Sequence, residues 1–94
     1  MESKEYSWEW VTYDQCLRHG ECELLFVYLV PSGATTDSAL YDGESTSGTP
    51  IATLKAAAVT GHEFSPPVPV YCRKGLYVDV GTSVTGIFVL WRNL

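Results

Sequence analysis

Positive charge is scarce in this sequence. Of its 94 residues, six are Lys or Arg and eleven are Asp or Glu, which gives a formal net charge of -5. Binding to nucleic-acid phosphates needs clustered positive charge, whereas the six basic residues are scattered along the chain: Lys4, Arg18, Lys55, Arg73, Lys74 and Arg92. The composition therefore argues against a nucleic-acid partner.

Long apolar runs are also missing. The longest run extends only from Leu24 to Val30, whereas a helix needs about 20 apolar residues to cross a bilayer, so we expect no membrane span. Residues 1–6 lack the apolar stretch after a basic start that marks a secretory signal. We expect them to form a flexible or attachment arm, and the protein to be made in the cytoplasm and not secreted.

Cysteines are few, and an odd number cannot all pair within one chain. Cys16, Cys22 and Cys72 are the three present, and no other feature indicates an oxidising compartment, so we interpret them as reduced thiols. Cys16, His19 and Cys22 have the spacing C-x2-H-x2-C, and Cys72 or His62 could supply a fourth zinc ligand. Structural zinc sites typically use paired knuckles such as C-x2-C. We predict no metal and no cofactor.

Catalytic signatures are missing as well. Cys72 with His62 or His19 could form a thiolate pair, but no signature of a cysteine enzyme surrounds it. Gly43 and Gly48 lack the spacing of a phosphate-binding loop. Acidic side chains in turns are usually solvated or cap backbone groups, and this applies to Asp37, Asp42, Glu44, Glu63 and Asp79. We predict that the protein is not an enzyme.

Strand signals dominate what the sequence does contain. Segments rich in Val, Ile, Tyr, Phe, Trp and Thr are separated by clusters of Gly, Pro, Ser and Asp, which is typical of strands joined by turns. The chain is shorter than a usual domain of about 100 to 150 residues, so we expect one domain over 1–94. We predict an all-β antiparallel sandwich of jelly-roll or Greek-key type, with about seven strands and a polar connection at 14–21.

The segment 50–59 is ambiguous. Thr49 as an N-cap and Pro50 at the first helical position are typical of a helix start, and three alanines follow. Against this, Thr53 and Val59 are β-branched, and a strand here would form a hairpin across the preceding polar loop. We predict a strand.

Two predicted strands are apolar on both alternating faces, at 24–30 and 87–91. A strand of an antiparallel sandwich ordinarily buries one face only, so either another segment of the chain or other copies must cover the second face. We predict a core of Leu24, Phe26, Tyr28, Leu54, Leu76, Val78, Val80, Phe88 and Leu90. We predict a homo-oligomer, most simply a trimer, with interface residues Leu25, Val27, Leu29, Ile87, Val89, Trp91, Trp8 and Trp10.

Aromatic residues make up 13% of the chain. On a sandwich face they could form a carbohydrate-stacking platform, although aromatic residues on strands more often anchor a core or an interface. A sugar- or ligand-binding module is therefore the alternative function. Its candidate residues are Trp8, Trp10, Tyr13, Tyr28, Tyr41, Tyr71, Tyr77 and Trp91.

A sequence resemblance covers residues 40–91. Its landmarks are Leu40-Tyr41-Asp42-Gly43, a Ser/Thr/Gly loop, Ile51-Ala52-Thr53-Leu54-Lys55-Ala56, a Pro-bearing strand, Gly75-Leu76-Tyr77-Val78-Asp79-Val80 and a final strand. This pattern resembles small β-sandwich accessory proteins of tailed bacteriophages. The resemblance implies a virion component, such as a capsid decoration, head–tail connector or tail protein, that contacts the capsid or tail shell. It assigns no functional residue.

Overall fold

The protein is built of strands in two packed layers. A computed structural model describes residues 6–33, 36–55 and 60–94. No helix occurs in these residues, and the predicted all-β antiparallel sandwich is confirmed. The strands are β1 (Ser7–Val11), β2 (Gln15–His19), β3 (Cys22–Pro31), β4 (Ser38–Asp42), β5 (Thr49–Leu54), β6 (His62–Phe64), β7 (Val70–Cys72), β8 (Gly75–Asp79) and β9 (Val84–Asn93).

The strand order identifies the topology as a jelly roll. The first sheet, here called sheet A, has the order β1-β9-β3-β6, with β7 also pairing to β3; sheet B has the order β2-β8-β4-β5. Antiparallel pairs join β1 to β9, β2 to β8, β3 to β6 and β7, and β4 to β5. Successive pairs lie alternately in sheet A and sheet B, as in a long antiparallel hairpin that is wrapped around a barrel. This arrangement is a jelly roll.

The described residues form nine strands, whereas about seven were predicted. The polar connection expected at 14–21 contains β2, which pairs with β8. Its sequence QCLRH has no strong alternation, so its strand conformation follows from pairing with β8. Thr49–Leu54 is a strand, as expected for the start of 50–59, and residues 56–59 lie outside the described residues. The predicted arm 1–6 likewise lies outside them except for Tyr6.

A β-bulge decides which side chains of β3 reach the core. Leu24 pairs with Trp91 and Phe26 pairs with Leu90, so the β3 register shifts between these two pairs. Leu25 is the additional residue: between these two pairs, β3 advances by two residues while β9 advances by one. An extra residue reverses the alternation of every side chain that follows it. Beyond the bulge, the other alternating set of β3 therefore points into the core.

This reversal corrects part of the predicted core. Five predicted core residues are buried: Leu24, Leu54, Leu76, Val78 and Val80. The other four lie on the outer face of sheet A and are not fully buried: Phe26, Tyr28, Phe88 and Leu90. Five residues that were predicted at the interface fill the core instead. The register of β9 against β3 points the same alternating set of both strands inwards: Val27, Leu29, Ile87, Val89 and Trp91.

Asp42, at the end of β4, holds one end of the sandwich together. Its carboxylate accepts the backbone N–H of Arg73 at 3.1 Å and of Lys74 at 2.9 Å, in the turn that leads into β8. Burial opposes the charge, but the backbone N–H groups of Lys74, Arg73 and Gly75 outweigh it and lower the pKa of Asp42. The loop after β4 is therefore tied to the β7–β8 turn by an ionised carboxylate.

In the described part of the chain, no helix is long and apolar enough to cross a bilayer.

Candidate protein-binding face

The outward surface of sheet A carries a continuous group of large apolar side chains. The strand register places them side by side: Trp8 pairs with Leu90 and Trp10 with Phe88 across β1 and β9, while Phe88 pairs with Tyr28 across β9 and β3. Side chains of directly paired residues share a face of the sheet. We call this group the aromatic face; it consists of Trp8, Trp10, Phe26, Tyr28, Phe88 and Leu90.

These side chains contact one another but stay open to solvent. The rings of Trp8 and Phe88 stack with centroids 5.9 Å apart and planes at 27°, and Phe26 lies 6.1 Å from Phe88. Trp8 is nevertheless 64% exposed, Trp10 43% and Tyr28 39%. Large exposed apolar patches on a sheet usually mark an interaction site.

Two glycines shape the aromatic face. A Cβ at Gly86, inside β9, would overlap the six-membered ring of the Trp10 indole, so this ring lies directly against the backbone. A Cβ at Gly61 would likewise overlap the ring and hydroxyl of Tyr28. Glycine within a strand often marks the close approach of another group. The absence of a side chain at each glycine allows the aromatic ring beside it to approach the backbone closely.

Charged groups are confined to the rim of the aromatic face. At one end, Arg92 Nε donates to Glu23 at 3.1 Å, and the Arg92 guanidinium lies 5.9 Å from the centroid of the Tyr6 ring. At the other end, Glu63 on β6 pairs with Tyr28. The centre between them, formed by β1, β9 and β3, carries no charge, as expected for the core of a protein interface.

The predicted interface residues fall into three groups. Trp8 and Trp10 are exposed on the aromatic face, and their predicted contact stays a prediction. Leu25 is half-buried at the bulge. The remaining five point into the core between the sheets and not outwards: Val27, Leu29, Ile87, Val89 and Trp91.

Sequence reasoning missed Phe26, Phe88 and Leu90 as members of the aromatic face, and it placed Tyr28 both in the core and among the candidate ligand-binding aromatics. Both alternating sets of β3 and β9 are apolar, so alternation alone could not separate the inner set from the outer one. The sequence does contain one indication of this face. Trp8 and Trp10 lie on the same side of β1, and Gly86 in the neighbouring strand β9 leaves room for the Trp10 ring.

The candidate metal ligands do not converge on one point. Cys16 Sγ lies 3.8 Å from His19 Nδ1, but that nitrogen is 3.0 Å from a carboxylate oxygen of Glu44. Burial raises the pKa of the Cys16 thiol, which disfavours a thiolate. Cys22 is fully buried between the sheets. Within the described ranges, no group of three or more His, Cys, Asp or Glu side chains could hold a metal ion.

The candidate catalytic residues have other partners. His62 donates from Nδ1 to the carbonyl oxygen of Lys55 at 2.7 Å. Cys72 is buried, and its direct cross-strand neighbour is Cys22. Cys72 and His62 therefore do not form the hydrogen-bonded thiol–imidazole pair that a cysteine nucleophile needs.

Comparisons with protein-family models, curated proteins and solved structures found no match for this chain.

Proposed function

We propose that this chain is a structural assembly protein that associates with further copies of itself through the aromatic face. The observation that carries the proposal is the exposure of Trp8, Trp10 and Tyr28 on the outside of a sheet whose other side is already buried. In a jelly roll, the inner faces of the two sheets cover each other. Among the described residues, no further layer packs over the outer face of sheet A.

Burial of the aromatic face would provide useful binding energy. Apolar area removed from water contributes about 25 cal/mol per Å2. A few hundred Å2 per subunit then corresponds to several kcal/mol before the cost of association, roughly what a closed oligomer needs. Trp and Tyr are also the residues that most often dominate binding energy at interfaces.

The charge distribution is compatible with a second copy as the occupant. Two chains of net charge -5 repel at long range, but the centre of the aromatic face has no charge to desolvate. Glu63 at the rim is exposed and can remain in water, and Glu23 and Arg92 already pair with each other. A closed homo-oligomer is therefore the proposed state, and three subunits remain our predicted number.

The biological setting we propose is the virion of a tailed bacteriophage. Two features support it: the resemblance of residues 40–91 to phage accessory proteins, and a fold that is common among viral capsid domains. In this setting the oligomer would decorate the capsid or connect parts of the head and tail, with other virion proteins as partners. The protein would be made in the host cytoplasm.

The test places a charge on the aromatic face. Trp8→Asp removes the most exposed ring and should give a folded monomer, because a buried carboxylate without a partner opposes association. Thr53→Asp is the matched control, since Thr53 is exposed on β5 of sheet B. Light scattering should show a monomer for Trp8→Asp and the parent mass for Thr53→Asp. Equal masses for all three proteins would refute the proposed contact.

The stacking of Trp8 on Phe88 also favours a second function, carbohydrate binding. One side of the Trp8 indole lies against Phe88 and the ring is 64% exposed, which leaves its other side open for stacking on a sugar ring. Jelly rolls also occur in lectins. Affinity electrophoresis in gels containing soluble polysaccharides tests this function. Retardation of the parent that is lost in Trp8→Ala would support it, and equal mobility of both in every gel would exclude it.

A further inference from the structure

Two of the three cysteines face each other across sheet A. Cys22 is the first residue of β3 and Cys72 the last of β7, and they are direct partners in the antiparallel β3–β7 pair. Both side chains are fully buried, and the three cysteines are free thiols. This juxtaposition depends on the β3–β7 register and is independent of the aromatic face.

The backbone spacing fits a disulfide. Directly opposed residues in an antiparallel pair have Cα atoms about 4.5 to 5.5 Å apart. Disulfides connect residues with Cα atoms about 4.4 to 6.8 Å apart. The strands need not separate or slide for the two sulfur atoms to bond.

The two thiols are close enough to affect each other's ionisation. Interaction with the Cys72 side chain lowers the pKa of Cys22, and the same interaction raises the pKa of Cys72, whose thiol donates to the carbonyl oxygen of Val70 at 3.7 Å. Cys22 is thus the thiol that ionises first. Thiolates are the nucleophiles of disulfide exchange.

We propose that Cys22 and Cys72 are a site of reversible oxidation, at which a small organic disulfide such as oxidised glutathione closes a cross-strand disulfide between β3 and β7. The Cys22 thiolate attacks one sulfur of the oxidant, and one glutathione thiolate leaves. The Cys72 thiol then loses its proton to that thiolate and attacks the Cys22 sulfur, which releases the second glutathione. Two protein thiols are oxidised and one small disulfide is reduced. Cys16 remains outside the bond.

The cross-link would hold a short strand in place. Strand β7 has three residues and follows a stretch with three prolines at 66, 67 and 69. Such a strand pairs through few backbone hydrogen bonds and opens easily, which admits the oxidant to the buried thiols. Once formed, the bond closes a loop of about 50 residues, and loops of this size correspond to an increase in melting temperature on the order of 10 °C.

Peptide mapping identifies the bond directly, because trypsin separates the three cysteines. Cleavage after Arg18, Lys55 and Arg73 places Cys16 in peptide 5–18, Cys22 in 19–55 and Cys72 in 56–73. The folded protein is incubated with oxidised glutathione, quenched with acid, alkylated, digested without reductant and analysed by mass spectrometry. We expect 19–55 linked to 56–73, with 5–18 unlinked to either.

Any of three results would overturn the proposal. The first is a disulfide that involves peptide 5–18, and the second is glutathione that stays attached to Cys22 or Cys72. The third is complete alkylation of Cys22 and Cys72, which would show that neither thiol was oxidised. The melting temperature provides a second readout in Cys16→Ser, which retains only the opposed pair. Oxidation should raise its melting temperature, and reductant should reverse the rise; no change in a sample shown to be cross-linked would overturn the expected stabilisation of β7.

Discussion

The outer faces of the two sheets differ sharply in composition. On sheet B, the outward positions alternate with buried residues in the ordinary way: Leu76 and Val78 point inwards, while Tyr77 and Asp79 between them point outwards. Tyr41 lies beside Tyr77 on this outer face, whereas Ala39 on β4 and Thr53 on β5 are small. On sheet A, both sides of β3 and β9 are apolar, and the outer side carries the aromatic face. The outer face of sheet B is therefore an ordinary solvated surface, whereas the outer face of sheet A exposes a large apolar surface to water.

This contrast shows that the fold itself does not demand the aromatic face. Sheet B has the same place in the sandwich, and its outer face is only partly apolar. Tyr41 and Tyr77 pair across it with ring centroids 6.4 Å apart, but Asp79 follows Tyr77 on the same face. The uninterrupted apolar surface of sheet A is therefore the feature that supports the proposed association.

The largest expected effect distinguishes the two sides of β9 in sheet A. Val89→Asp places a carboxylate among core side chains and should abolish the folded state, at a cost above about 4 kcal/mol. Phe88→Asp, one residue earlier, places the same charge on the aromatic face and should give a folded monomer. Circular dichroism melting curves compare them. Unfolding of both, or folding of Val89→Asp, would contradict the assignment of the two sides.

A smaller effect tests how the aromatic face is supported. Gly86→Ala should displace the Trp10 indole from β9, at a cost of about 1 to 3 kcal/mol as in other overpacked sites. In a Trp10→Ala background the ring is gone, and the same change should be neutral or slightly stabilising. Urea unfolding of the four proteins in this cycle measures the coupling. Equal costs in both backgrounds would show that Trp10 does not lie on Gly86.

An effect of similar size, but dependent on pH, lies away from both outer faces, at Asp42. Loss of its two backbone hydrogen bonds in Asp42→Ala should cost about 1 to 3 kcal/mol at pH 7. Because the pKa is lower in the folded state than its ordinary value of 3.8, this contribution is present above pH 3.8 and disappears as pH falls through the folded pKa.

The pH dependence is checked by urea unfolding of the parent and Asp42→Ala between pH 7 and pH 2. The gap between them should narrow below the ordinary pKa of an aspartate. Asp42→Asn is the control: it keeps one acceptor oxygen, should cost less than Asp42→Ala, and cannot ionise. A gap that stays constant over this range would show that the ionised carboxylate is not the stabilising form.

The sequence predicted sheet B better than sheet A for a physical reason. The alternation of β8 has only one arrangement that buries Leu76 and Val78, so it predicted the right side. In β3 and β9 both arrangements bury apolar side chains, and the bulge at Leu25 that selects between them leaves no local signal. The register that opposes Cys22 and Cys72 is equally long-range. Fold class and the shared face of Trp8 and Trp10 could be predicted, whereas the full membership of the aromatic face needed the strand register.

Coverage of the aromatic face by copies of the same chain determines the mass of the parent protein in solution. Light scattering coupled to size exclusion should be run over a wide range of concentrations, under reducing conditions so that disulfides cannot contribute. We predict a stable mass that is a whole multiple of 10.4 kDa, with three subunits as the expected number. A mass of 10.4 kDa at every concentration would contradict the account.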